Sequence, residues 1–308
     1  LKHIILGIAG IMMIGLIIGL IYYQNTIKTA SLPQNPTAQN AQEQETVQEQ
    51  PLHAAHTIDY SLDNDELNIT FDRGESWTKV PIELENVFDG EYNGNKQELI
   101  DNSYILTESR VAFLYSDGVN WESKKIILTY SVDQGKTWED TVVAEPFPAI
   151  RFRKVDFIND EFGYVIISGD RTMSQELSIV FLTHDGGKTW EETNNSGATR
   201  LISDGGFIDE NTGFLSFGTI NPQEPDVYVT QDTGDSWQQA AFHIPTKYEE
   251  IFVNAEIPVK EDDHLAVLVN QGPNGDYRGG EVKGKFVSND NGETWDFSRE
   301  VEPNETEE

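Results

Sequence analysis

The chain has 308 residues, 37% of them hydrophobic, with 21 basic against 53 acidic side chains and a formal net charge of −32. That balance excludes nucleic acid as a partner and favours solubility, cations or basic proteins. Cysteine is absent, which excludes disulfides, thiolate metal sites, a cysteine nucleophile and lipid anchoring through cysteine.

Residues 4–22 (IILGIAGIMMIGLIIGLIY) are uncharged and almost wholly apolar. At about 1.5 Å per residue, roughly 20 such residues cross a bilayer core, so residues 1–23 are predicted to be a transmembrane anchor. Tyr22 and Tyr23 fall where an aromatic belt lies, and Lys2 precedes the span, which implies a single-pass cell-membrane protein with its C-terminal bulk outside the cytoplasm. A cleaved signal peptide fits less well, because the apolar run is long and Lys28 stands where a cleavage site near Ala30 wants a small residue. Residues 24–56 are rich in Gln, Asn, Ala, Pro, Thr and Glu and poor in large apolar side chains, the composition of a disordered stalk.

From residue 57 to 308 one phrase recurs five times. It reads Thr70-Phe-Asp72-Arg-Gly74-Glu-Ser76-Trp77, then Ser131-Val-Asp133-Gln-Gly135-Lys-Thr137-Trp138, then Thr183-His-Asp185-Gly-Gly187-Lys-Thr189-Trp190. Thr230-Gln-Asp232-Thr-Gly234-Asp-Ser236-Trp237 and Ser288-Asn-Asp290-Asn-Gly292-Glu-Thr294-Trp295 complete the set. The aspartates are spaced by 61, 52, 47 and 58 residues, the length of a four-stranded propeller blade with variable loops. Each phrase follows an apolar or alternating run (ELNITF, KIILTYS, LSIVFLT, DVYVTQ, GKFVSN) and precedes another, so it is predicted to turn a strand hairpin. Glycine supplies a positive φ, the Asp carboxylate accepts turn N–H groups, the hydroxyl bonds across the turn and the indole covers the apolar side. These residues are therefore structural. The expected fold is an all-β propeller of five four-stranded blades, with ranges near 100–145, 151–194, 203–242 and 250–300 for the last four. The first blade is short, and a degenerate blade within 57–106 would make six.

The phrase resembles the Asp-box or BNR repeat of sialidases and sortilin-type propellers. Val155-Asp-Phe157-Ile-Asn-Asp160-Glu-Phe-Gly163-Tyr164 and Gly206-Phe207-Ile-Asp209-Glu-Asn-Thr-Gly213-Phe214 further resemble blades of Ycf48-like propellers, the photosystem II assembly factor type. The sialidase resemblance implies an arginine cluster, a Tyr nucleophile partnered by an acid, an Asp acid/base, and a Phe-Arg-Ile-Pro segment ahead of the first box. Here the nearest string, Phe242-His243-Ile244-Pro245, follows the fourth box and has His in place of Arg, which argues against sialidase activity.

No catalytic set emerges from the remaining residues. His184, His243 and His264 are scattered without metal-ligand spacing, and Asp63-Asn-Asp65-Glu66 and Glu261-Asp-Asp263 read as solvated acidic turns. No cofactor is implied. Two places are candidates for ligand binding. Arg151-Phe152-Arg153-Lys154 is a basic patch on a strand expected near the axis, where Arg151 and Arg153 alternate onto one face; neutralising nearby carboxylates is the competing role. Tyr277 and Arg278 lie in a glycine-rich loop over 270–280. The expectation is a membrane-anchored, non-catalytic binding or assembly module for a protein or carbohydrate, with a glycoside hydrolase acting on surface or wall polysaccharide as the alternative.

Overall fold

The computed structural model describes residues 56–303 apart from 92, 121–122, 148, 173–174, 219–221 and 273–274. The expected anchor over 1–23, and the stalk over 24–56 except its last residue, lie outside the described residues.

Five sheets succeed one another among the described residues. The first holds β1 (Asp59–Asp63), β2 (Glu66–Thr70) and β3 (Thr78–Lys79). The second holds β4 (Tyr104–Leu106), β5 (Val111–Asp117), β6 (Lys125–Ser131) and β7 (Glu139–Ala144), and the third holds β8 (Ile150–Phe157), β9 (Gly163–Thr172), β10 (Gln175–Thr183) and β11 (Glu191–Glu192). The fourth holds β12 (Leu201–Phe207), β13 (Gly213–Gly218), β14 (Asp226–Thr230) and β15 (Gln238–Gln239). The fifth is built from β17 (Phe252–Ala255), β18 (Val259–Glu261), β19 (His264–Gln271), β20 (Lys283–Ser288) and β21 (Thr294–Val301), with β16 (Ala241–His243) added outside. In the first four sheets consecutive strands pair antiparallel, and in the fifth β17, β19, β20 and β21 do so in turn, with β18 also antiparallel to β19 and β16 alone parallel to β21, so each is one up-and-down blade of a β-propeller.

Every repeated phrase joins the last two strands of its blade, and its chemistry is the same each time. In the third blade the Asp185 carboxylate accepts the Thr189 N–H at 2.9 Å and the Thr189 hydroxyl at 2.6 Å. The Thr183 hydroxyl donates to Asp185 at 2.8 Å and accepts the Gly187 N–H at 2.9 Å. The glycine takes a left-handed φ of 97° there, and its predecessor Gly186 is left-handed too. Where that predecessor is Arg73, Gln134, Thr233 or Asn291 the same conformation persists, so the hydrogen bonds override the intrinsic preference of those side chains.

The tryptophans do more than cover their own hairpins. Four apolar clusters seal the successive seams, and Trp138, Trp190, Trp237 and Trp295 each pack into the cluster that joins their blade to the one before. Trp295 is fully buried against Phe214 and Phe242, with its N–H on the Gly292 carbonyl at 3.0 Å. A second inter-blade fastener comes from Arg110, in the turn between β4 and β5. Its guanidinium lies 3.8 Å from the Phe157 ring centroid and donates to the carbonyls of Gly186 at 2.9 Å and Asp160 at 3.1 Å in the next blade.

Two sequence expectations change. Residues 57–106 hold no sixth blade among the described residues: after β3 the chain forms α1 (Leu84–Val87) and turns before β4. Residues 241 and 242, expected at the end of blade four, instead form with His243 a strand parallel to β21 of blade five, because Phe242 stacks on Trp295 with centroids 5.8 Å apart. Among the described residues the first blade has three strands, and its box joins β2 to β3, so the strand without a counterpart is the innermost one.

The box carboxylates of Asp72, Asp133 and Asp185 are held down to about 2 by the Ser or Thr hydrogen bonds they accept. Their contribution is therefore full above the ordinary value of 3.8 and disappears as the pH falls through about 2. Asp185→Asn is expected to lower the melting temperature at pH 7 and to converge on the parent as the pH approaches 2; thermal melts across that range check this, and a constant difference would contradict it. A Cβ on Gly292 would sit 2.4 Å from the Phe214 ring, whereas one on Gly135 would meet Ile69 only at 3.3 Å. Gly135→Ala should then cost about 1–2 kcal/mol of left-handed strain, and Gly292→Ala about 1–3 kcal/mol more through overpacking, measured by denaturant unfolding.

Candidate functional site

Because strands alternate in direction, the box hairpins and the turns after each inner strand lie at one end of the blades. The connections from one blade to the next lie at the other. The longest described connection of this second kind is the one over residues 80–103, and it builds the site.

Leu84, Val87, Phe88, Leu99 and Ile100 anchor this connector in the cluster between the first two blades. Gly90, at φ 138°, then brings the backbone onto β8, where the Glu91 N–H donates to the Ile150 carbonyl at 2.7 Å. No side chain fits: a Cβ at Gly90 would lie 2.5 Å from that carbonyl oxygen. Arg153 completes the clamp. It is 2% exposed, donates to the Val87 carbonyl at 3.1 Å and also to that of Asp89, and burial pushes its guanidinium down to about 10.

Arg151 and Arg153 do not share a face. A bulge between Ile150 and Phe152 shifts the register of β8, so Arg153 turns toward the connector and Arg151 toward the fourth blade. There Arg151 donates to the buried Glu176 carboxylate at 2.7 Å and to the Ile202 carbonyl at 2.9 Å. For Arg151 the neutralising role is thus the observed one; for Arg153 backbone carbonyls take that part. Lys154, on the same strand, pairs with Asp204 at 2.7 Å.

Between the connector and the start of β8 lies a cavity of about 680 Å³. Glu91, Glu98 and Asp101 line it together with Asn95, Phe152 and the arginines Arg151 and Arg153. None of the three acids forms an ion pair among the described residues. The Asn95 side chain accepts the Gln97 N–H at 2.8 Å and fixes the turn that carries Glu98. The cavity offers carboxylate and carboxamide oxygens around one partly exposed aromatic ring, with Arg151 and Arg153, already committed to Glu176 and to main-chain carbonyls, in the same wall.

Tyr277 and Arg278 are placed elsewhere, on the rim of the fifth blade. The Tyr277 hydroxyl donates to Glu300 on the outer strand β21 at 2.9 Å, and Arg278 bonds Glu300 at 2.6 Å and Glu302 at 2.7 Å. Tyr248 and Lys247 donate to the same carboxylate. These hydrogen bonds, that of Tyr248 foremost and then that of Arg278, hold the Glu300 carboxyl down to about 2. The arrangement is a latch between the glycine-rich loop and the blade edge.

Sequence reasoning missed the connector and Arg110. The signal for the first was there in Leu84-Glu-Asn-Val87-Phe88 followed by Gly90, an apolar cluster and a glycine outside any repeat. Nothing in the local sequence of Arg110 announces a partner some 50 residues on.

The sheets and boxes define the chain as a β-propeller assembled on Asp-box repeats. Residues 181–192 match the family model described as BNR/Asp-box repeat. No curated protein matches the chain. Among solved structures it is similar to a protein of unknown function from Dyadobacter fermentans, at 14% identity and a TM-score of 0.41, covering 65% of this chain and 70% of that one. It is also similar to the GH74 xyloglucanase from Xanthomonas campestris at 13% identity and a TM-score of 0.41, covering 76% and 34%. A Hadza microbial sialidase, Hz136, aligns at 13% identity and a TM-score of 0.42, covering 75% and 50%. The chain therefore spans a third and a half of the length of these last two.

Gly90→Val should detach the connector, because backbone atoms of Ile150 block the new side chain. Arg153→Met should do the same at a cost of about 1–3 kcal/mol for the carbonyls it leaves unpaired. Hydrogen exchange over residues 84–102 is expected to accelerate in both variants while the box hairpins keep their protection; unchanged exchange would contradict the clamp.

Proposed function

We propose that the chain is a membrane-tethered, non-catalytic binding module that holds a protein or glycan in the cavity between the connector and β8. The anchor over 1–23 and the stalk over 24–56 would carry the propeller outside the cytoplasm, in the manner of an assembly factor or surface receptor. The observation that carries this reading is the use of the two guanidiniums at the cavity. Arg151 is committed to Glu176 and Arg153 to two carbonyls, so neither presents a fork to a substrate carboxylate. A Tyr–Glu pair exists, but at the rim of the fifth blade, between Tyr277 of the glycine-rich loop and Glu300 of β21.

A glycoside hydrolase is the second reading, favoured by three carboxylates lining one cavity. One experiment separates the two. The full chain in detergent is immobilised and presented with an array of neutral and acidic wall oligosaccharides and with solubilised envelope proteins. The binding module is expected to retain a ligand that is recovered intact, and Gly90→Val should abolish the retention. Recovery of shortened oligosaccharides, lost in Glu98→Gln or Asp101→Asn, would replace it with the hydrolase.

A further inference from the structure

In the second to fifth blades, the strands β5, β9, β13 and β19 are flanked toward the axis by the inner strands β4, β8, β12 and β17. Among the described residues the first blade begins one position later, and β1 pairs with β2 alone. The hairpin between them turns on Asn64 at φ 54° and Asp65 at φ 59°, the two left-handed residues of a type I′ turn. Such a turn makes Asp63 and Glu66 a hydrogen-bonded pair, so the alternation sends the main-chain groups of Tyr60 and Leu62 away from β2. In keeping with this, the Tyr60 N–H bonds the Asp59 side chain at 2.9 Å instead of the ladder.

The second blade shows what this edge lacks. Leu62 pairs with Leu67, three residues before the box Thr70, and Leu114 pairs with Leu128, three residues before Ser131. The two leucines are therefore equivalent. The Leu114 N–H donates to the Ser103 carbonyl beside the inner strand at 2.8 Å, whereas that of Leu62 has no acceptor among the described residues. Burial follows the same difference: the first four residues of β1 are half-buried, and the first six of β5 are buried.

The surroundings of this slot select its occupant. The Tyr60 hydroxyl accepts the Leu99 N–H at 3.2 Å, so the slot adjoins the connector, and Glu98 and Asp101 flank Leu99 and Ile100 there. Asp63 is exposed at the far end of β1, and the whole chain carries −32. A second copy does not suit the edge, because antiparallel self-pairing about Ser61 would set Asp59 against Asp63 twice. We propose that the slot takes an extended, lysine- or arginine-bearing segment of a partner protein, which adds to β1 as the inner strand and directs its cations to Glu98 and Asp101. This rests on the binding-module reading and narrows its ligand to a protein.

The test uses the full chain in detergent with two synthetic octapeptides, Thr-Lys-Val-Lys-Val-Lys-Val-Thr and its counterpart with Glu for Lys. The basic peptide is expected to bind, to slow exchange of the Tyr60 and Leu62 amides by about tenfold or more, and to lose about tenfold in affinity to the double variant Glu98→Lys, Asp101→Lys. Equal binding of the acidic peptide, or binding that leaves both amides exchanging as before, would overturn the proposal. So would amides already protected without peptide, whether by the chain's own N-terminal residues or, if protection rises with protein concentration, by a second copy. Capture of an intact oligosaccharide by a chain that ignores both peptides would sink this inference and leave the binding module standing.

Discussion

A carboxylate that accepts the N–H and the hydroxyl of the residue four positions on closes each blade at one end. In Asp72, Asp133, Asp185, Asp232 and Asp290 it stabilises two successive left-handed residues, a conformation that costs about 1–2 kcal/mol for most side chains. The turn then fixes where the following tryptophan leaves the backbone. Four of those indoles fall into the seam with the preceding blade. A local hydrogen-bond pattern spanning eight residues thus becomes the inter-blade packing of the whole domain, with Arg110 adding a cation between aromatic rings at one seam.

With one end committed to these closures, the opposite end is free to vary in length. The connector over 80–103 uses that freedom, and it is clamped by contacts that resemble nothing in the repeat: a glycine pressed to a carbonyl, and a buried arginine on two others. The clamp fastens the connector to β8 at Gly90, Glu91 and Arg153. A preorganised wall lowers the ordering cost of binding, which supports the cavity over the latched loop around Tyr277 and Arg278 as the proposed ligand site.

The box hairpins were legible in the sequence because every bond that defines them joins residues two or four apart. The last four blades were legible within a few residues for the same reason. The direction of Arg151 and Arg153 was not, since one bulge in β8 reverses the face that simple alternation assigns to Arg151. Neither was β16, whose parallel pairing with β21 depends on Phe242 meeting Trp295 more than 50 residues away. The connector lacked any period to read, and its role emerges only when Gly90 and Arg153 are seen on the same side of β8. Tyr277 and Arg278 stood out as chemistry-bearing residues in a glycine-rich loop; their partner Glu300 sits in an unremarkable acidic stretch, and only the fold brings them together.

On the proposed reading the boxes hold the scaffold while the connector face receives the ligand. Hydrogen exchange of the full chain with and without a retained ligand tests it most directly. Added protection over residues 88–102 and at the start of β8, with the five box hairpins unchanged, is the predicted result; protection confined to the box end, with the connector exchanging as before, would contradict it.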